Sequence, residues 1–492
     1  MYRTACPSCG AEVLFRSTIS TIAVCEYCQS TVLRDANEVK DIGKIGRVLE
    51  DYSPIQIGTS GTFAKRNFTV VGRIQLHYEA GLWNEWYVMF DDGSGGWLAD
   101  ASGQYMFTLD IGPAKNATPF EQMRPEFRYE HAGRSFIATD VRTARCVGGQ
   151  GELPFVVGEG YEAKVVDCRS GDRFLTIDYS DATPRLYAGS AVVLDELSCQ
   201  LLRDGEQILQ SAGKLKGANN VLDCPNCGSP LNYKAGVATQ IVCPSCHSEV
   251  DCSGDRATVL AKHEDAQRYH ASLDIGDKAT IEGDNWWTII GLIELEEVGD
   301  ADSAWSEYLL YHAKKGFKWL VETSDGWFEA TVLDKWPESW SENSVTLNKE
   351  QYRKLYPTYD ARVTYAAGAF NWRVKVGDIT TYREYERNGL RLSKESTLSE
   401  INWSQSRKLT RELVAQWFGK KEVVSTHYQG SNAAGSETDA STMKGMATLA
   451  TIFLFLLNIP ILLFGAFTFS GLIWMGLAWW LLQLPLKFNK DE

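Results

Sequence analysis

Cys6-Pro7-Ser8-Cys9 and Cys25-Glu26-Tyr27-Cys28 stand 15 residues apart. The arrangement returns with the same gap at Cys224-Pro225-Asn226-Cys227 and Cys243-Pro244-Ser245-Cys246, 218 positions later. Pairs of thiolates three positions apart, brought together two by two, supply the tetrahedral sulfur set that Zn2+ takes in zinc ribbons. The pattern predicts two Zn2+ ions per chain, held by Cys6, Cys9, Cys25, Cys28 and by Cys224, Cys227, Cys243, Cys246. Four thiolates leave no open coordination position, so the expected role is structural, and each ribbon is too small to fold without its metal. Of the 12 cysteines, Cys146, Cys168, Cys199 and Cys252 remain, expected as small buried hydrophobes. With a ribbon beginning at Cys6 no secretory signal is expected, and CxxC pairs then favour metal over disulfides in a reducing cytoplasm.

No second constellation of catalytic residues stands out. The sequence has no phosphate loop, no nucleophile elbow and no His-Glu-x-x-His, and its seven histidines are scattered. His247 directly follows a ligand and is expected beside the metal site, not in it. Glu152, Asp178 and Glu395 lie among apolar residues in strand-like segments. They are candidates for a carboxylate site, with capping or hydrogen bonding as the alternative. The many tryptophans suit core packing. An aromatic cage for an ammonium group, beside Glu85, Asp91 and Asp92, is the sharper alternative and would suit a polyamine. The formal net charge of −14 argues against a general nucleic-acid binder, and neither ribbon is basic. Binding without catalysis is expected.

The elements that must position these residues occur twice. Ile57-Gly58 matches Ile275-Gly276, and Phe68-Thr69-Val70-Val71-Gly72 matches Trp287-Thr288-Ile289-Ile290-Gly291. Trp83-Asn84-Glu85-Trp86 matches Trp305-Ser306-Glu307-Tyr308, Trp97-Leu98 matches Trp319-Leu320, and Glu196-Leu197 matches Glu412-Leu413. The expected organisation is ribbon 1–35, β module 36–205, ribbon 220–254, β module 255–420 and a polar linker 429–443. Residues 36–52 space Val39, Ile42, Ile45, Leu49 and Tyr52 as a short helix would, and 255–270 take the same place in the second copy. Beyond these the texture is β: Trp86, Val88 and Phe90 alternate with Tyr87 and Met89, Asp91-Asp92-Gly93 turns, and Gly96-Trp97-Leu98 returns. Residues 134–141, 161–167 and 173–179 read as strands, and helical spacing recurs near 407–418. The fold class is mainly β, with two small twisted sheets or partly open barrels per copy.

Residues 445–486 carry no charge. These 42 positions would span about 63 Å as helix, twice the roughly 30 Å of a bilayer core. They predict a transmembrane hairpin with Lys444, Lys487 and Lys490 on one cytoplasmic side.

Tyr52-Ser53-Pro54-Ile55-Gln56-Ile57-Gly58, Gly81-Leu82-Trp83-Asn84-Glu85-Trp86-Tyr87, Gly96-Trp97-Leu98, Gly151-Glu152-Leu153-Pro154-Phe155 and Gly368-Ala369-Phe370-Asn371-Trp372-Arg373-Val374 resemble the bacterial domain family of unknown function numbered 4178. So do Gly377-Asp378 and Leu392-Ser393-Lys394-Glu395. The second copy departs where Ala369 replaces Glu152 and Lys314-Lys315-Gly316 replaces Asp91-Asp92-Gly93. The resemblance carries no assigned activity; it implies a cytoplasmic module joined to ribbons and membrane segments, with links to membrane or polyamine physiology. The first functional expectation is a scaffold or adaptor at the inner membrane that binds protein partners or its own copies. The second is a sensor or binding protein for a small cation such as a polyamine, and the third an enzyme.

Overall fold

The computed structural model describes residues 2–420, apart from 16–21, 36–37, 45–47, 49–50, 52, 80, 102, 115–116, 205–207, 209–222, 232–239, 252–257, 262–270, 313–314 and 371–373. The linker 429–443 and the hairpin 445–486 lie outside the described residues, as does Cys252. Among the described residues no helix is long and apolar enough to cross a membrane.

Each copy folds into one closed barrel of eight antiparallel strands, not two small sheets. In the first copy the strands are β1 (Arg66–Tyr78), β2 (Gly81–Phe90), β3 (Gly95–Ala101), β4 (Gln104–Pro113), β5 (Arg134–Gly151), β6 (Tyr161–Ser170), β7 (Arg173–Asp178) and β8 (Arg185–Val192). The second copy has β9 (Asp284–Glu297), β10 (Asp300–His312), β11 (Gly316–Thr323), β12 (Gly326–Val332), β13 (Tyr359–Phe370), β14 (Ile379–Arg387), β15 (Leu390–Ser396) and β16 (Ile401–Leu409). The first ring runs β1-β2-β3-β4-β8-β7-β6-β5 and closes where β5 pairs with β1, Cys146 opposite Leu76 and Gly151 opposite Gly72. The second runs β9-β10-β11-β12-β16-β15-β14-β13 and closes by β13 on β9, Gly368 opposite Gly291. The two topologies are identical strand for strand, which accounts for the matched sequence segments.

Closure abolishes the sheet edges that two small sheets would have left open. It needs one strand to serve two neighbours. β5 pairs with β6 over Ile137–Cys146 and, past a register shift, with β1 over Arg145–Gly151. Gly151 and Gly368 hold the end of this strand at φ +68° and +92°, and a Cβ on either would clash with the carbonyl of Val71 or Ile290.

The predicted helix over 36–52 is a strand, Glu38–Lys44, paired with Ser30–Asp35 of the ribbon sheet. Its counterpart Thr258–Ala261 pairs with Glu249–Asp251. A short apolar run with β-branched residues fits either period, and the open edge of the ribbon decides for the strand. The helix near 407–418 begins only at Arg411, where the Thr410 side chain caps Leu413 N–H at 3.2 Å; it ends at Phe418 before Gly419 at φ +66°.

The ribbons dock on their barrels at equivalent places. Ala23 forms a single antiparallel bridge to Glu152. In the second copy Gln240–Val242 lies as a full strand beside β13, Ile241 opposite Ala369. The copies also meet each other. The β15–β16 turn reaches the first barrel, where Val141 N–H donates to Ser399 C=O at 3.0 Å and Arg142 Nη2 to Glu400 at 2.8 Å. Lys394 pairs with Glu126. Arg169 donates to Asp334 C=O at 2.8 Å and lies over the Trp336 ring. The expected packing of copy on copy is therefore present, through ion pairs and one arginine–tryptophan contact.

Candidate functional sites: two cysteine clusters and two barrel lumens

In each ribbon the four cysteine Sγ atoms lie within 4.8 Å of one another. Cys6 and Cys28 are 3.6 Å apart, Cys9 and Cys25 3.7 Å, Cys224 and Cys246 3.7 Å, and Cys227 and Cys243 3.8 Å. A sulfur tetrahedron with bonds of about 2.3 Å to a central ion has edges of about 3.8 Å, so the thiols fit a bound ion. All four CxxC turns share one backbone pattern. The N–H of the residue after the second cysteine donates to the first cysteine's carbonyl, as in Gly10 to Cys6 and Gly228 to Cys224, both 2.8 Å. That residue sits at positive φ: Gly10 +77°, Gln29 +63°, Gly228 +72° and His247 +54°. Glycine adopts this conformation without steric cost. The Cys-Gly pairs at 9–10 and 227–228 therefore mark the turn, a signal that cysteine spacing alone does not use. His247 is no ligand; its ring packs edge-on against Tyr365 of β13, 5.3 Å away.

The second site type lies inside the barrels. Strand alternation and register sort the barrel side chains into an outward face and a lumen. Trp305 on β10 meets Tyr359 on β13 and Tyr382 on β14 at 6.3 and 6.1 Å, although β9 separates β10 from both. The charge of Glu307 on β10 acts on Glu395 on β15, the strand diametrically opposite in the ring, so this face points inward. Glu307 on β10, Glu384 on β14 and Glu395 on β15 share it. The first barrel places Glu85, Asp167 and Asp178 at the same positions. Glu85 faces Ala99 as Glu307 faces Val321, Asp167 faces Thr176 as Glu384 faces Ser393, and Asp178 faces Val165 as Glu395 faces Tyr382.

Each lumen thus carries a carboxylate at these three places, and the first adds Asp140, which faces Asp167 and is raised by burial to about 7. Trp83 Nε1 donates to Glu85 at 2.9 Å and Trp305 Nε1 to Glu307 at 2.8 Å. Burial pushes the Glu85 carboxyl up to about 8, helped by the charges of Asp167, Asp178 and Asp100. Burial raises Glu307 to about 7, and burial with the neighbouring charges of Glu307 and Glu384 raises Glu395 to about 8. Desolvation also raises Asp167 and Glu384. These groups are enclosed, yet Trp305, Glu307, Tyr359, Glu384 and Glu395 keep partial solvent contact. Outward residues of the same barrel, Ser306, Tyr308, Tyr385, Leu392 and Trp403, are wholly buried under packed segments. The carboxylate level of the lumen thus keeps partial contact with solvent. Elsewhere it is apolar, and the ribbons add Val24 and Val242 to that part.

The predicted carboxylate trio is not one site. Glu152 is buried where ribbon one meets its barrel, Asp178 lies in the first lumen, and Glu395 lies at the matching place in the second. Likewise Glu85 is in the lumen, whereas Asp91 and Asp92 sit on the β2–β3 turn, Asp92 paired with Arg66 at 2.6 Å. The tryptophans divide: Trp86, Trp287, Trp327, Trp336 and Trp403 are core, and Trp83, Trp97, Trp305 and Trp319 belong to the clusters on the lumen side. Cys146 and Cys168 are buried as expected, and Cys199 is half-buried.

Ribbon, closed barrel, ribbon, closed barrel: the fold defines a tandem β-barrel protein with two four-cysteine clusters of metal-ligating geometry and acidic lumens. The chain belongs to the family described as Domain of unknown function (DUF4178), which matches residues 56–193 and 274–411, more than half of the 492 residues. Neither a curated protein nor a solved structure matches it.

Proposed function

We propose that this chain is a binding protein for a small organic cation of the polyamine type, held at the inner membrane with its bulk in the cytoplasm. The observation that supports it is the acidic, aromatic-walled lumen formed at matching positions in both copies. An enclosed carboxylate is costly unless a cation or hydrogen-bond donors offset it. In the second lumen the three beside Trp305, Tyr359 and Tyr382 suit ammonium groups on an apolar chain. In this proposal both cysteine sets hold Zn2+ and serve as structural supports, and 445–486 anchors the chain as a hairpin. Calorimetry of the full chain in a non-ionic detergent, titrated with spermidine, tests the first claim; no heat of binding in a sample with two zinc ions per chain would end it. Turnover of spermidine abolished by Glu395→Gln would make the protein an enzyme instead. Single cysteines placed at Ser441 and Asn489 should both resist an impermeant reagent in intact cells.

A scaffold for protein partners is the second proposal. Tyr27, between two metal ligands, is 79 % exposed, as an aromatic contact residue would be. Partner capture from native membranes, lost in Tyr27→Ala, would favour it.

A further inference from the structure

We propose that the second cysteine site does more than support its ribbon. By holding the strand Gln240–Val242 against β13 it keeps one end of the second barrel shut, so metal occupancy and closure of that end are coupled. The first site is coupled to its barrel far more weakly. This goes beyond cation binding and stands without it.

Three consecutive residues make the connection. Ile241 packs in the ribbon core with Cys224, Cys243 and Val250. Val242 packs in the apolar cluster of the lumen with Ile290, Leu309 and Phe370, and Cys243 is a candidate ligand. Neighbours in a strand point to opposite faces, so this strand cannot leave the ribbon core without also leaving the barrel. Cys243 and Cys246 lie on the turn that joins it to Glu249–Asp251, with Val242 opposite Glu249. On its other side it pairs with the end of β13, Gln240 opposite Phe370, Ile241 opposite Ala369 and Val242 opposite Gly368. That end is the closing seam, where Gly368 also faces Gly291 of β9. The Phe370 ring lies over the seam: a Cβ on Gly291 would meet it at 2.6 Å. Ligand, strand, apolar stopper and seam are thus contiguous.

A short two-stranded hairpin is marginal by itself, and a ribbon of this size folds only with its metal. Without the metal, Gln240–Val242 loses its support on the ribbon side and Val242 withdraws from the lumen cluster. The first copy has the same run, Ala23 in the ribbon core, Val24 in the lumen cluster and Cys25 a candidate ligand. Among the described residues its strand docks by the single bridge Ala23–Glu152, and the Glu152 N–H donates to Val71 C=O of the barrel itself at 2.7 Å. Coupling is reciprocal: if the metal holds the strand, the docked strand must slow metal loss. Barrel residues that touch no ligand must then affect how fast the second site empties.

Zinc release from the full chain in non-ionic detergent, driven by excess EDTA, tests this together with hydrogen exchange on the same samples. Release should come in two phases, the slower from the second site. Cys9→Ser should retain only the slower phase and Cys227→Ser only the faster. Exchange at 368–370 should rise about tenfold or more in step with the slower phase, and exchange at 145–151 should change less than about twofold during the faster. Phe370→Leu and Val242→Ala remove no ligand; each should speed the slower phase about fivefold or more and leave the faster within about twofold. Unchanged circular dichroism before EDTA verifies that both variants are folded. The proposal fails if exchange at 368–370 stays flat after the second zinc has left, if both sites empty at one rate, or if both variants leave the slower phase unchanged. A metal that supported only its own ribbon would give those results.

Discussion

The two barrels share every strand and pairing, yet they stabilise the same places by different chemistry. Behind β1 and β2 the first copy buries Arg73, which pairs with Asp51 at 2.8 Å and donates to Asn84. The second copy puts Leu292 there and moves the polar group to Glu322, which accepts from the Tyr308 hydroxyl at 2.6 Å and from Ser272. Inside, Arg142 of the first becomes Tyr359 of the second. Backbone pairing evidently fixes the fold and leaves buried charge free to be exchanged for apolar or neutral groups, provided every partner changes together. The lumen carboxylates are the exception: an acid occupies each of the three places in both copies.

The largest predicted effect separates the ribbons. Cys9→Ser and Cys227→Ser should each lower zinc from two to about one per chain. The metal contributes on the order of 10–16 kcal/mol to folding a small finger. Only Cys227→Ser should also loosen a barrel, because Gln240–Val242 is a strand of the second sheet whereas ribbon one is joined by a single bridge. Hydrogen exchange read at β13 and β5 checks this, and equal loosening of both would contradict the difference in docking. Next, Arg73→Leu alone should cost about 3–5 kcal/mol by stranding buried Asp51. With Asp51→Asn added, most of the loss should return, as the leucine of the second copy suggests; denaturant titration of both variants decides. Smaller still, Gly151→Ala and Gly368→Ala should cost similar amounts, about 1–3 kcal/mol each, since both hold positive φ against a carbonyl. A large inequality would show that the closing strands differ.

The smallest effect is on pH. Glu395 faces Glu307 from β10, Glu384 from β14 and Ser404 from β16, with Glu400 beyond the strand end. Its folded pKa, near 8, lies above the unfolded value of about 4.3. The stability from holding this carboxyl neutral is full below pH about 4 and is lost as pH rises through 8. Glu395→Gln should flatten that decline, measured by melting temperature between pH 5 and 9 without ligand. A cation prefers the ionised carboxylates, so its binding should strengthen over pH 6–8 and release protons, which calorimetry in two buffers reads.

Much of the site was written in the repeat. Trp83-Asn84-Glu85 and Trp305-Ser306-Glu307 place a tryptophan and a carboxylate two residues apart on one strand face, and that pairing is visible in the sequence. Strand period alone leaves open which face is the lumen, because both faces of a closed barrel are covered here. Asp178 and Glu395 looked like members of one site with Glu152, because position in the chain does not say that two of them are the same place in different copies.

Sequence by itself determined the two four-cysteine clusters, the duplication, the β class and the hairpin turns, since each depends on residues close in the chain or on a fixed spacing. Tertiary structure decided barrel closure, the strand at 38–44, the inward face and the contact of Arg142 with Glu400. These depend on contacts between residues far apart in the chain, such as Arg142 and Glu400 on different copies. The energy of such a contact depends on which strands are neighbours, a property of the folded sheet that no local pattern encodes.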